Sequence, residues 1–401
     1  LKILVTNCGS SSLKGKLFDE QGRVLASGQV AGLASRDSTA QLQVVAGERV
    51  EKREVEATSH DQAFDVLARE ILGAADDPEL DAVGHRVVHG GERFSRATQI
   101  DDEVEAAIEA LVPLAPLHNP LCLEGIRAAR RAFPQAQHVA VFDTAFHQTL
   151  PEAAYLYALP HDTYERDGVR RYGFHGSSHR SVSERAIEWL GGSAEGTRII
   201  TCHLGAGCST AAIRDGRSVD TSMGMTPLEG LVMSTRSGDV DPGVFAYLAR
   251  RRGLDATGVE AMLQNESGLL GLSQTTGDLK QLLEDARGGR APAARALGVF
   301  THRVRRYIGA HLAVLGGADA LVFTGGAGEN SPELRARILE DLGGLGFVLD
   351  PARNEAHAGN SGTISHDDSP CAIYVIEADE ERAIADEART LLEAQSSSSV
   401  R

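Results

Sequence analysis

The sequence predicts an α/β fold, and three observations lead there. Short β-branched runs at residues 3–6, 82–88, 138–142, 199–202, 321–323 and 372–376 alternate with stretches of helical spacing. One strand-and-turn design occurs twice, once at each end of the first half of the chain. A length of 401 residues with 42% hydrophobic content is enough for two to three domains with substantial cores.

The repeated design is a hydrophobic strand running into a Gly/Ser turn. Ile3-Leu4-Val5-Thr6-Asn7-Cys8-Gly9-Ser10-Ser11-Ser12 is the first copy, and Ile199-Ile200-Thr201-Cys202-His203-Leu204-Gly205-Ala206-Gly207-Cys208-Ser209 is the second. Each re-enters a strand and turns again at a polar Gly site, Asp19-Glu20-Gln21-Gly22 or Arg214-Asp215-Gly216. Glycines let the backbone turn tightly and approach a ligand, while peptide N–H and Ser hydroxyl groups donate to anionic oxygens. N-x-G-S-S-S-L-K, from Asn7 to Lys14, reads by itself equally well as a plain hairpin turn. The second copy, H-L-G-A-G-C-S-T from His203 to Thr210, favours phosphate binding, with two lobes closing on one polyphosphate.

Two helices follow from capping signals and periodicity. Ser59 with Gln62 precedes Phe64, Leu67, Ile71 and Leu72; Ser181 with Glu184 precedes Ala186, Ile187 and Leu190. Four strands end at Asn7, Asp143, His203 and Thr324-Gly325-Gly326. Ligands of open α/β sheets sit beyond the carboxyl ends of the strands, so the site is expected there. A lobe break is expected near Pro151, giving a first lobe of 1–150 plus a returning helix at about 380–395, a second lobe of 151–379, and a disordered tail at 396–401.

A formal charge of −16 and the lack of a Lys/Arg run able to track a nucleic acid backbone argue against nucleic acid as a partner. The same charge repels small anions, so a site for one needs local arginines. Cys8, Cys122, Cys202, Cys208 and Cys371 form no C-x-x-C pair, and reduced thiols in a cytoplasmic, soluble protein are expected. No apolar run approaches the ~18 residues of a membrane span. Leu1 is not an initiator Met, so a start just upstream is expected.

Arg86 lies in G-H-R-V-V-H-G-G-E-R-F and Arg236 in S-T-R-S-G-D-V-D-P. A surface ion pair is the ordinary role of an arginine. A strand end and a Gly/Ser/Asp turn are instead places where the guanidinium fork meets phosphate or carboxylate. Histidines recur in L-H-N-P (His118), F-H-Q (His147) and Y-G-F-H-G-S-S-H (His175, His179) without the helical context that converges metal ligands, so hydrogen bonding to phosphate or substrate is the better reading. Mg²⁺ needs one or two carboxylates, and Asp143 and then Glu380 are the candidates. Thr324-Gly325-Gly326-Ala327-Gly328-Glu329-Asn330-Ser331 follows a strand, opens a helix and reads as a nucleoside pocket.

Together these motifs, with L-A-P-L-H-N-P, V-F-D-T-A-F-H and S-M-G-M-T-P-L-E-G-L in the same order, resemble the acetate kinase family of the sugar kinase, heat-shock chaperone and actin superfamily. The resemblance implies two actin-like (ribonuclease H-like) lobes on duplicated βββαβαβα cores and a homodimer. It implies Mg²⁺, or Mn²⁺ in its place, and reversible in-line transfer from ATP to acetate, giving acetyl phosphate and ADP. Catalytic roles map onto Arg86, Asp143, His175 and Arg236; metal association onto Asn7, Asp143 and Glu380. Nucleotide binding maps onto Ser10, Ser12, Lys14, His203, Leu204, Gly205, Ala206, Gly207, Gly326, Ala327, Gly328 and Asn330. The acyl pocket maps onto Val88, Leu117, Phe174 and Pro227 beside Arg86 and His118. Ala206 departs from the family's H-L-G-N-G and removes an amide near the nucleotide phosphates. A propionate kinase of the same family, an ATP-dependent switch and a metal-dependent hydrolase are the alternatives.

Overall fold

The structure is a computed structural model that describes residues 1–9, 12–33, 40–57, 59–75 and 79–399. It contains two units, one of Leu1–Ala145 with Asp379–Arg401 and one of Phe146–Ala378.

In the first unit, β1 (Ile3–Cys8), β2 (Ser12–Phe18), β3 (Val24–Ala31), β4 (Ala40–Ala46), β5 (Arg49–Val55), β6 (Ala82–Val87), β7 (Thr98–Gln99) and β8 (Gln137–Phe142) form one sheet in the order β5-β4-β3-β2-β1-β6-β8-β7. β1 and β2 pair antiparallel, whereas β1, β6 and β8 run parallel. Both faces of β1 are buried, which explains its continuous apolar run. Leu4 joins Leu13, Leu17, Phe64, Leu67 and Ile71 beneath the helix His60–Ala74. Ile3 and Val5 join Val139, Val141, Ile384 and Ala388 on the opposite face, under the helix Glu380–Ser399. Ser59 caps the first of these helices by accepting from Gln62 N.

The second unit repeats this plan. β9 (Arg198–Leu204), β10 (Cys208–Arg214), β11 (Arg217–Thr221), β12 (Ala320–Thr324), β13 (Gly362–Thr363) and β14 (Ala372–Val375) are ordered β11-β10-β9-β12-β14-β13. Thus β3-β2-β1-β6-β8 and β11-β10-β9-β12-β14 are the same five-strand core. The β10–β11 turn has Asp215 and Gly216 at φ 53° and 73°, as a two-residue hairpin requires. Val182 and Ala186 of the helix Gly176–Trp189 pack on Ile199, Ile213 and Val322.

Two expectations need correction. The Ser181/Glu184 pair does not start its helix, because the helix begins at Gly176 with His175 at its N-cap and Ser181 falls in its interior. The 396–401 tail is helical as far as Ser399, with Ser396 and Ser397 donating to Leu392 O and Glu393 O in place of water; residues 400–401 lie outside the described residues. All five cysteines are free, and no described helix is long and apolar enough to cross a membrane.

Candidate functional site

In the first unit, the β1–β2 hairpin sets Asn7 opposite Lys14 and closes its turn with Gly9 N donating to Ser12 O at 2.8 Å. The His60 ring donates to Gly9 O at 2.8 Å and holds the turn from the side. Ser10 lies outside the described residues. Parallel pairing of Thr6 with His85 brings the ends of β1 and β6 to one level, so Asn7 and Arg86 follow the same rung.

Arg86 is clamped. Its Nε donates to Asp143 Oδ1 at 2.9 Å and its Nη2 to Oδ2 at 2.7 Å, a bidentate fork, while Nη1 lies 3.6 Å from Glu380 Oε2. Asp143 follows β8 and Glu380 opens the C-terminal helix, so three elements hold one guanidinium. The Arg86 and Asp143 side chains are 21% and 5% exposed. Burial works against the Arg86 charge, but Asp143 and Glu380 outweigh it and hold the guanidinium pKa above its ordinary value. With two carboxylates around one cation, the cluster carries a formal surplus of negative charge. Val88 packs half-buried against the Phe94/Ile126/Phe142 cluster, Leu117 is 60% exposed, and His118 sits at the N-cap of the helix Asn119–Ala132.

These donors suit Mg²⁺. No group of three or more His, Cys, Asp or Glu able to hold a metal gathers among the described residues. Two carboxylates and the Asn7 amide are hard oxygen donors, and Mg²⁺ takes only one or two such ligands besides water and phosphate.

The second unit is built differently. The turn after β9 is closed by Gly205 N donating to Gly207 O at 3.0 Å, and Ser234 N donates to Ala206 O at 3.1 Å. A Cβ on Gly207 would lie 3.4 Å from both Arg236 Nη2 and His175 Nε2, so glycine keeps open the slot that these two side chains flank. Arg236 Nη1 donates to Pro227 O at 2.7 Å, and no described carboxylate pairs with it. Burial pushes its pKa below the ordinary value, though an arginine keeps its charge. His175 has φ 57°, a conformation costing on the order of 1–3 kcal/mol for a non-glycine residue. Its ring stacks on His203 with centroids 4.4 Å apart, and His203 Nδ1 is 2.8 Å from Ser178 Oγ. Phe174 is buried, and its carbonyl accepts from His147 Nε2 at 3.1 Å.

Beside this turn lies a cavity of ≈ 1090 Å³ whose wall includes Gly205, Ala206, Gly326, Ala327 and Asn330. The structure therefore joins the second phosphate turn to the 324–331 turn in one recess. Leu204 and Gly328 are buried behind the wall and could meet a ligand only through backbone atoms. Gly325, at φ 76°, packs so tightly on Leu204 that an added Cβ would lie 2.9 Å from its backbone. Glu329 accepts from Gly325 N and Ala378 N, and the fully buried Arg335 donates to Gly328 O and Glu329 O, fixing the turn from behind.

Sequence reasoning missed the opposite wall, which includes Thr276, Asp278 and Lys280. Its signal was present: Asp278 accepts from Gln281 N as the N-cap of the amphipathic helix Leu279–Arg287. It also left unassigned Ser209, which lies between the His175 and His179 rings.

The chain matches the Acetokinase family over residues 2–386. It is 48% identical over 398 residues to the acetate kinase of Natranaerobius thermophilus, spanning 98% of this chain and 100% of that protein. The crystal structure of Porphyromonas gingivalis acetate kinase matches with a TM-score of 0.90 at 44% identity, covering 98% of this chain and 99% of the other. A propionate kinase from Francisella tularensis subsp. tularensis SCHU S4 matches with a TM-score of 0.90 at 40% identity, covering 96% and 98%. Near-complete coverage at such identity, on a duplicated fold whose turns carry the same ordered motifs, makes the chain a member of the acetokinase family.

Proposed function

We propose that the protein is an ATP:acetate phosphotransferase that reversibly forms acetyl phosphate and ADP. The observation that carries this reading is Arg236, half-buried without a described carboxylate partner, flanking the Gly207 slot with His175 at the edge of the nucleotide-sized cavity. A partly desolvated cation without a counter-ion is a site prepared for an anion. Nucleoside and phosphates take the recess of Gly205, Ala206, Gly326 and Asn330, and Arg236 with His175 takes the transferring phosphoryl oxygens.

Acetate is already a carboxylate at neutral pH, so no side chain has to remove a proton from the nucleophile. The barrier is repulsion between anions, and the protein's task is to place charge and exclude water. Arg86, held rigid by Asp143, serves the acyl carboxylate, with Val88 and Leu117 as apolar and His118 as polar neighbours in the first unit; the family resemblance adds Phe174 and Pro227 of the second. Mg²⁺, or Mn²⁺, held by Asp143 and Glu380 with Asn7 near, would neutralise charge on the phosphate oxygens.

A homodimer of ~85 kDa, twice the 42.6 kDa chain, belongs to the same proposal. The helix Pro242–Arg252 buries none of its residues and leaves Val244 and Tyr247 exposed, which supports it; light scattering at micromolar concentration tests it.

The activity is tested by trapping acyl phosphate with hydroxylamine in the presence of ATP, Mg²⁺ and a panel of carboxylic acids. Acetate is expected to lead, and no hydroxamate from any acid would sink the proposal. The propionate kinase match and the half-buried Val88 favour propionate as a second substrate. One methylene is worth about 1–3 kcal/mol of discrimination, so Val88→Ala should raise the propionate-to-acetate ratio of kcat/KM about tenfold.

A further inference from the structure

Behind His175, four side chains are linked in line. Thr201 Oγ1 is 2.7 Å from His179 Nδ1, His179 Nε2 is 2.7 Å from Ser209 Oγ, and Ser209 Oγ is 2.8 Å from His175 Nδ1. Thr201, His179 and Ser209 are each 0% exposed, so proton positions are settled inside the chain of side chains. Burial keeps His179 neutral, with His147, His203 and His311 adding repulsion against its cation.

A hydroxyl has one proton to give and a neutral imidazole has one N–H, so the line runs in one direction or the other. If His179 donated to Thr201, the Thr201 hydroxyl proton would be buried without an acceptor, because Thr201 Oγ1 has no second partner among the described residues. Buried donors are rarely left that way. Donation therefore runs from Thr201 to His179 Nδ1, from His179 Nε2–H to Ser209, and from the Ser209 hydroxyl to His175 Nδ1. His175 is left with its proton on Nε2, the atom facing the Gly207 slot beside Arg236. With Nδ1 accepting from the Ser209 hydroxyl, the ring carries its single proton on Nε2.

We propose that Thr201, His179 and Ser209 are positioning residues that hold His175 in the Nε2–H tautomer, as a neutral hydrogen-bond donor to an anionic phosphoryl oxygen. The target of the donor rests on the kinase reading above; the tautomer is a property of the unliganded protein.

The experiment records histidine ring nitrogens by NMR in protein labelled with ¹⁵N-histidine, with His175 assigned by its loss in His175→Asn. Wild-type protein is expected to show Nε2 protonated and Nδ1 unprotonated. Ser209→Ala and Thr201→Val, checked for folding by Tm, should mix the tautomers and lower kcat for acyl phosphate about tenfold or more, while KM for acetate stays unchanged. Ser209→Thr, which keeps the hydroxyl, should restore both. Wild-type His175 protonated on Nδ1, or an unchanged tautomer and kcat in both folded variants, overturns the proposal. Failure of the wild-type enzyme to form acyl phosphate overturns the kinase reading instead, because the NMR arm needs no activity.

Discussion

The two units share one core strand order but fix Arg86 and Arg236 by opposite means. In the first, Arg86 is bound to Asp143 and flanked by Glu380, so its charge is more than cancelled. In the second, Arg236 leans on the Pro227 carbonyl and flanks Gly207 together with the His175 imidazole, with no described carboxylate paired to it. Duplication of a fold thus does not duplicate its electrostatics. The first cluster suits a cation together with a rigid acyl site, and the second suits a phosphoryl group.

The largest effect that tests this contrast is expected from Arg86→Ala. It takes the bidentate guanidinium fork away from Asp143, a nearly buried carboxylate, and removing one partner of such a pair costs about 3–5 kcal/mol. We predict a Tm lower by several degrees as well as lost turnover; unchanged thermal unfolding would break the comparison. Arg236→Ala leaves no carboxylate behind, so kcat should fall by a factor on the order of 10² or more with Tm nearly intact. Equal destabilisation in both variants would mean that the two arginines are held alike.

Acid should expose the neutral network of the second unit. Burial lowers the His147 pKa from 6.5 to about 4 and depresses His179 in the same direction. Below pH 6.5 the unfolded chain binds protons that the folded chain refuses, so this stability is complete above 6.5 and is lost as pH falls toward 4. For His147 the loss amounts to about 3 kcal/mol. The single tryptophan, Trp189, lies in the second unit against Tyr374, so its fluorescence in urea titrations from pH 7 to 4 reads that unit. A midpoint independent of pH would contradict the assignment.

The smallest effect concerns Ala206, exposed on the cavity wall. Ala206→Asn should lower KM for ATP about tenfold, within the roughly 1.5–3 kcal/mol of one hydrogen bond to a charged group. An unchanged KM would mean that backbone donors already fill the role.

What was legible beforehand was what local pattern encodes. The β1 and β9 turns, the strand ends at Asn7 and Asp143, and the Gly-rich turn at 324–331 each show apolar runs broken by glycine and polar residues. Ser181 misled because a capping pair is a local signal, whereas the helix start at Gly176 depends on the packing of Val182 and Ala186 under β9. The Ser209–His179–Thr201 line could not be read from spacing, because its members sit on β10, a helix and β9 and meet only when the sheet forms. Glu380 was found as a carboxylate, but its approach to Arg86 needs the last helix laid across the first strands.

That last helix also bears on how the protein is made. Ile384, Ala388 and Leu392 complete the face formed by Ile3, Val5, Val139 and Val141, yet they are translated after the whole of Phe146–Ala378. At about 5–20 residues per second, the nascent first sheet waits on the order of ten seconds or more with one apolar face uncovered. The unit that begins synthesis is therefore the last to finish folding. A ribosome that stalls within the final helix releases a chain whose second unit is complete and whose first is sticky, a substrate for chaperones or proteases.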